Sequence, residues 1–150
     1  MEYNANMLTE GSIQPAWSAL DQAGRMHSSA DKREKWLVLY FYPEDDTPGC
    51  TVEACGIRDN FGPLTAKAEV FGVSKDSAES HNAFIGKYSL PFSLLADTES
   101  KLIQAFGTDG KTLPKRTTFL IDASGVIRKI YKGFDPAHHA DLLLKDLESL

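Results

Sequence analysis

The stretch Trp36-Leu37-Val38-Leu39-Tyr40-Phe41-Tyr42-Pro43-Glu44-Asp45-Asp46-Thr47-Pro48-Gly49-Cys50 decides the fold class. Its first seven residues are continuously apolar or aromatic, the pattern of a strand covered on both faces. Pro43 stops the strand, because proline has no N–H to donate to a ladder. Thr47-Pro48 then opens a helix, with a hydroxyl residue at the cap and proline at the first helical position. The spacing predicts a helix from about Gly49 to Asn60 that yields before Pro63.

Upstream, the segment from Ile13 to Leu20 and the turn Asp21-Gln22-Ala23-Gly24 predict an N-terminal hairpin. Downstream, Ala68 to Val73 reads as a second buried strand. Asp76 or Ser77 opens a helix with apolar Ala83, Phe84 and Tyr88 at helical spacing. Phe92 to Leu95 is a short strand, and Thr98 caps another helix through Phe106. Thr117 to Ile121 and Val126 to Tyr131 flank Asp122-Ala123-Ser124-Gly125, a strong hairpin signal. Asp135-Pro136 starts a final amphipathic helix with Leu142, Leu143 and Leu147 on its apolar side. Strands alternating with helices, then an antiparallel pair, predict an α/β fold: one domain over 1–150 with a mixed sheet flanked by helices.

A chain of 150 residues buries one sizeable core. The net charge of −5 and the lack of a basic stripe argue against nucleic acid as a partner. No run approaches the length of a membrane span. Met1 to Glu10 lacks both a charged and an apolar signal region, so the expectation is a cytoplasmic protein. Two cysteines spaced C-x4-C are too few for a disulfide framework, and in a reducing compartment such a pair is more often catalytic, metal-binding or incidental than structural. None of His27, His81, His138 and His139 is spaced as a ligand pair with a cysteine, so no metal is expected. His138-His139 is read as the start of an exposed helix face.

Cys50 falls in the first turn of the helix opened at Thr47. Free N–H groups and roughly half a positive charge at a helix N-terminus favour a thiolate. If the thiol pKa fell from about 8.5 to ~6, the thiolate fraction at pH 7 would rise about 30-fold. A Brønsted slope of about 0.4–0.5 removes roughly 13-fold of that in intrinsic nucleophilicity. Acidity alone therefore gives a few-fold advantage, and a hydroxyl and a cation beside the sulfur must supply the rest. Thr47, three residues before Cys50, and Arg116, just before the Thr117–Ile121 strand, are the candidates. Taken singly, the first is also a plain N-cap and the second a solvated charge.

Taken together they form a pattern. Pro43-Glu44-Asp45-Asp46-Thr47-Pro48-Gly49-Cys50 reads P-x3-T-x2-C and resembles the peroxidatic-cysteine motif of the peroxiredoxins. Thr51-Val52-Glu53-Ala54-Cys55-Gly56-Ile57-Arg58-Asp59 and Arg116-Thr117-Thr118-Phe119-Leu120-Ile121-Asp122 are similar to the PrxQ/bacterioferritin-comigratory-protein branch. So is the opening Gly11-Ser12-Ile13-Gln14-Pro15-Ala16-Trp17, where Trp17 replaces the usual Phe. Met26 to Lys35 departs from the branch in being polar and charged.

The resemblance implies a thioredoxin fold and reduction of hydrogen and organic hydroperoxides without metal or cofactor. On that pattern Cys50 attacks the peroxide and Cys55 resolves the product as a Cys50–Cys55 disulfide, returned by thioredoxin or a similar dithiol. Thr47 bonds the sulfur and the peroxide, with Gly49 at the substrate. Arg116 stabilises the thiolate, Pro43 shields the pocket, Glu53 orients an arginine, and Thr117 stands where thioredoxins carry their cis-proline. The chain lacks a C-terminal cysteine arm, which suggests a monomer.

Residues five apart in an ideal helix have Cα atoms roughly 8.7 Å apart, beyond the ~7 Å reach of a disulfide. If Cys55 resolves, the first helical turns must unwind in each cycle, with Gly49 and Gly56 flanking the segment. Two rivals share the fold. A thioredoxin-like disulfide oxidoreductase wants C-x-x-C, but Glu53 holds its second position. A non-enzymatic redox sensor would use the same residues without sustained turnover.

Overall fold

In a computed structural model describing residues 8–32 and 34–150, the chain begins with β1 (Ser18–Leu20) and β2 (Met26–Ser28), an antiparallel hairpin. There follow β3 (Trp36–Phe41), α1 (Pro48–Asp59), α2 (Phe61–Thr65), β4 (Ala68–Ser74), α3 (Ala78–Tyr88) and β5 (Ser93–Ala96). The chain continues through α4 (Lys101–Ala105), β6 (Thr117–Ile121), β7 (Ile127–Lys132) and α5 (His139–Ser149). The main sheet has the order β5-β4-β3-β6-β7. β3, β4 and β5 are parallel, while β6 and β7 run antiparallel to their neighbours.

β3 lies in the middle of this sheet, which is why its sequence is apolar at every position. Val38, Tyr40 and Tyr42 join Ala54 and Ile57 of α1, Leu64 of α2, and Leu143 and Leu147 of α5. Leu37, Leu39 and Phe41 face the other way, against Trp17, Leu102, Ile103 and Phe106. Each large side chain so buried contributes about 1.5–3 kcal/mol. The topology also places the chemistry. Because β6 is antiparallel to β3, its first residue, Thr117, pairs with the last residue of β3, Phe41. The residue before β6 and the loop after β3 therefore share one end of the sheet.

Several local expectations are corrected. The chain turns at Asn60 and restarts as α2 with Pro63 inside it; in a first turn the missing N–H of proline has no helical partner to lose. On α3, Ser77 caps as expected, accepting Ser80 N–H at 3.1 Å, but Ala83 is exposed and His81 points inward. Thr98 does not cap α4. The buried Asp97 carboxylate accepts Leu102 N–H at 3.1 Å and Ile103 N–H at 2.8 Å instead. Asp135 caps a 3-10 turn, Pro136–His138, before α5 begins. That turn shifts the helical phase, so His139, Ala140, Leu143 and Leu147 face inward and Leu142 is 38% exposed. His138 is exposed, but His139 is fully buried, against the expectation of a shared outer face. Of Met26 to Lys35, Arg33 lies outside the described residues, as does Met1–Met7 of the N-terminal stretch. No helix among the described residues is long and apolar enough to cross a membrane.

Candidate active site

α1 starts where the sequence places it, with Thr47 as the N-cap and Pro48 at the first helical position. The first intrahelical bond runs from Thr51 N–H to Thr47 C=O at 2.8 Å. Gly49 and Cys50 thus carry amides that precede the helical ladder and are directed off its end. Cys50 is buried at the base of this turn, and Cys55, one and a half turns on, is partly exposed. The two are not bonded to each other.

Arg116 crosses from the start of β6 to this helix. Its Nη2 donates to Cys50 Sγ at 3.2 Å, and its Nη1 donates to Glu53 Oε1 at 2.6 Å. One planar guanidinium therefore holds two groups from the same helix, a geometry that a lysine cannot reproduce. Gly49 makes room for it: a Cβ there would lie 3.0 Å from Nη2. Glu53 is fully buried, and burial pushes its carboxyl up to about 7 although Arg116 opposes the shift. The structure thus brings Arg116, Glu53 and Cys50 together, with the guanidinium between the sulfur and the carboxylate.

Thr47 is placed differently. Its hydroxyl donates to Glu44 C=O at 2.9 Å and neither caps the helix nor bonds the sulfur. Its proton is committed to the loop, which leaves its lone pairs available as acceptors. Pro43 is half-buried beside Tyr42, and Thr117 is buried at the first position of β6.

The loop between β3 and α1 is clamped to α3 by residues that the sequence did not single out. The Asp45 carboxylate accepts Tyr42 Oη–H at 2.6 Å and Ser80 Oγ–H at 2.8 Å, and pairs with His81 Nδ1 at 2.7 Å. His81 Nε2 donates to Leu95 C=O at 3.0 Å. Asp76 Oδ2 accepts Asp45 N–H at 2.9 Å and Ser74 Oγ–H at 2.6 Å. Asp45, Asp76 and His81 bring metal-type ligand atoms within 4.8 Å of one another. These hydrogen bonds already use them, so the cluster reads as a structural clamp. Asp46 adds Lys87 Nζ and Tyr88 Oη, each at 2.8 Å, and holds φ +58°. At the far end of α1, Arg58 Nη1 donates to Tyr88 C=O at 2.7 Å. No local signal could have paired Asp45 with His81, which are 36 residues apart.

A cavity of about 410 Å³ lined by Trp17, Lys101 and Leu102 holds none of these residues. The chemistry belongs to the helix end. A mixed sheet with a buried thiol at the head of the helix after its central strand defines a cysteine-based redox protein of thioredoxin fold.

Residues 11–130 match the AhpC/TSA family, and the chain belongs to that family. It is similar to the chloroplastic peroxiredoxin Q of Sedum lineare, at 45% identity over 148 residues covering 95% of this chain and 80% of the relative. The corresponding protein of Suaeda salsa is 43% identical, over 95% of this chain and 69% of the relative. Among solved structures, Mycobacterium tuberculosis peroxidoxin BcpB superposes with a TM-score of 0.88 at 29% identity, over 94% of this chain and 97% of the other. Xanthomonas campestris peroxiredoxin Q gives 0.84 at 30% identity, over 89% and 90%.

Proposed function

We propose that Cys50 performs the peroxide-cleaving step of this thiol-dependent peroxidase and that Cys55 completes the cycle. The observation that carries the reading is the Arg116 fork, 3.2 Å from Cys50 Sγ and anchored on buried Glu53. A guanidinium there stabilises the thiolate before attack and the charge that develops on the departing oxygen. The amides of Gly49 and Cys50 and the lone pairs of Thr47 complete a short set of groups that can hold a hydroperoxide in line. Thr47 would accept the peroxide's own O–H, since its proton is already given to Glu44. Pro43 would shield the sulfur, and the Asp45–His81 pair holds the loop that carries it.

The thiolate attacks the terminal oxygen, the O–O bond breaks, and water or alcohol leaves after taking a proton from solvent. Cys50 becomes a sulfenic acid. After α1 opens, the Cys55 thiolate attacks that sulfur, hydroxide leaves as water, and a Cys50–Cys55 disulfide forms. A dithiol of the thioredoxin type then reduces it by exchange. A monomeric state and a cytoplasmic location belong to the same proposal; the plant relatives are named chloroplastic. The C-x-x-C alternative finds a buried carboxylate, Glu53, where it needs a second thiol.

A thioredoxin-coupled peroxide assay on the wild type, Cys50→Ser and Cys55→Ser tests the cycle. Cys50→Ser should abolish turnover, and Cys55→Ser should spare the first reduction while stalling recycling. Retained activity in Cys50→Ser refutes the first assignment, and full recycling in Cys55→Ser refutes the second.

A further inference from the structure

Three buried side-chain atoms among the described residues lack a hydrogen-bond partner: Tyr40 Oη, Glu53 Oε2 and His139 Nδ1. Buried polar atoms without partners are rare, and two of these three belong to facing side chains. His139 Nε2 lies 3.9 Å from Glu53 Oε2, and both side chains are fully buried. Glu53 Oε1 is the oxygen that holds Arg116, so His139 stands directly behind the pair that addresses Cys50. The cycle above gives it no task.

Its ring is fixed from every side. Phe134 stacks on it with ring centroids 3.7 Å apart, Tyr131 meets it edge-on at 5.3 Å, and Nε2 lies 2.8 Å from Thr118 Oγ1. Two neutral tautomers are open to it. With the proton on Nδ1, a buried N–H would be orphaned among apolar neighbours, and a lone pair on Nε2 would face a carboxylate oxygen. With the proton on Nε2, the unpaired atom is an acceptor, the milder defect. The Nε2–H then donates to Thr118 Oγ1 at 2.8 Å, and Nε2 lies 3.9 Å from Glu53 Oε2, a dipole contact longer than a hydrogen bond.

We propose that His139 is a positioning residue whose Nε2–H dipole, aligned by Thr118, faces the outer oxygen of Glu53 and so keeps the Arg116 fork on Cys50 Sγ. The inference rests on the reading of Cys50 as the peroxide-attacking thiolate. The ionisable groups around this pair are Cys50 and Glu53 from α1, Arg116 before β6, Tyr40 from β3 and Tyr131 from β7. Of these only Arg116 carries a fixed positive charge. The direction of the His139 dipole therefore adds to that charge in keeping Glu53 in the form that binds the fork. A dipole contact to a charged group, weaker than a full hydrogen bond, is enough to change the rate of the first step roughly 3- to 10-fold.

The test compares His139→Phe, which keeps the stack but has no N–H, with His139→Gln, whose amide can present one. The readout is loss of the reduced Cys50 thiol in a single turnover with hydrogen peroxide, by rapid quench and mass spectrometry. His139→Phe should be slowed roughly 3- to 10-fold and His139→Gln should recover most of the rate. A wild-type rate in His139→Phe overturns the proposal, as does a folded His139→Gln no faster than His139→Phe. If neither variant folds, imidazole ¹⁵N shifts of the wild-type protein decide: the Nε2–H tautomer supports the role and the Nδ1–H tautomer overturns it. A wild type that consumes no peroxide refutes the peroxidase reading instead, while the tautomer still reports on His139.

Discussion

Raising the pH should loosen the opening segment of α1, and Glu53→Gln should remove most of that dependence. In the closed helix, burial pushes the Glu53 carboxyl up to about 7 against the opposition of Arg116, from an ordinary value of 4.5. The closed form therefore binds a proton more readily than the opened one. Its relative stability is greatest below pH 4.5, declines as the pH rises toward 7, and is level above that. The interval corresponds to about 3 kcal/mol, or on the order of 100-fold in the opening equilibrium. His139 works against this trend. Burial, and then the charge of Arg116, push it down to about 4, so its buried neutral ring costs stability as the pH falls from 6.5 toward 4. The difference between wild type and Glu53→Gln isolates the carboxyl. Amide exchange by mass spectrometry, expressed as protection factors over residues 51–59 of the reduced protein, is the assay. Between pH 5 and pH 8 wild-type protection should fall roughly 50- to 100-fold more than that of Glu53→Gln. Parallel profiles for the two proteins would refute the link between the carboxyl and helix opening.

Two further substitutions probe the packing around the thiol. Gly49→Ala puts a methyl group 3.0 Å from Arg116 Nη2, so the fork must retreat from Cys50; the single-turnover peroxide rate should drop roughly 3- to 10-fold, and an unchanged rate would show that the fork has slack. Gly72→Ala sets a methyl group 2.7 Å from Leu94 Cδ2 and 2.8 Å from Tyr40 Cζ in the centre of the sheet. Overpacking of this kind costs about 1–3 kcal/mol, to be read as a melting temperature lowered by roughly 2–10 °C.

The sheet and the thiol were legible because both rest on local pattern. The apolar run of β3, the Thr47-Pro48 helix start and the hairpin around Asp122–Gly125 each sit within a few residues of sequence. Arg116 is a candidate from its place before a strand and gains weight only from its motif, and its position is explained by the antiparallel pairing of Thr117 with Phe41. What escaped depends on phase or on distance. A simple count from Pro136 puts His139 on the exposed face, and the 3-10 turn before α5 rotates the helix away from that count. Thr47 kept its place but turned its proton to Glu44, a choice made by the loop's own carbonyl. The Asp45–His81 clamp joins separate elements and leaves no periodic trace.

Arg116 has a consequence that outlasts the chemical step. It precedes β6, which is held between β3 and β7 and has no need to move when α1 opens. Opening of the helix through Glu53 would strip it of both its partners at once and leave a half-sheltered cation facing an empty seat. If Cys50 and Cys55 bridge as proposed, reduction of that bond releases a thiolate and a carboxylate that have a stationary mould to return to. The reductant then needs only to cut the bond. The shape of the resting enzyme is stored in the strand it leaves untouched.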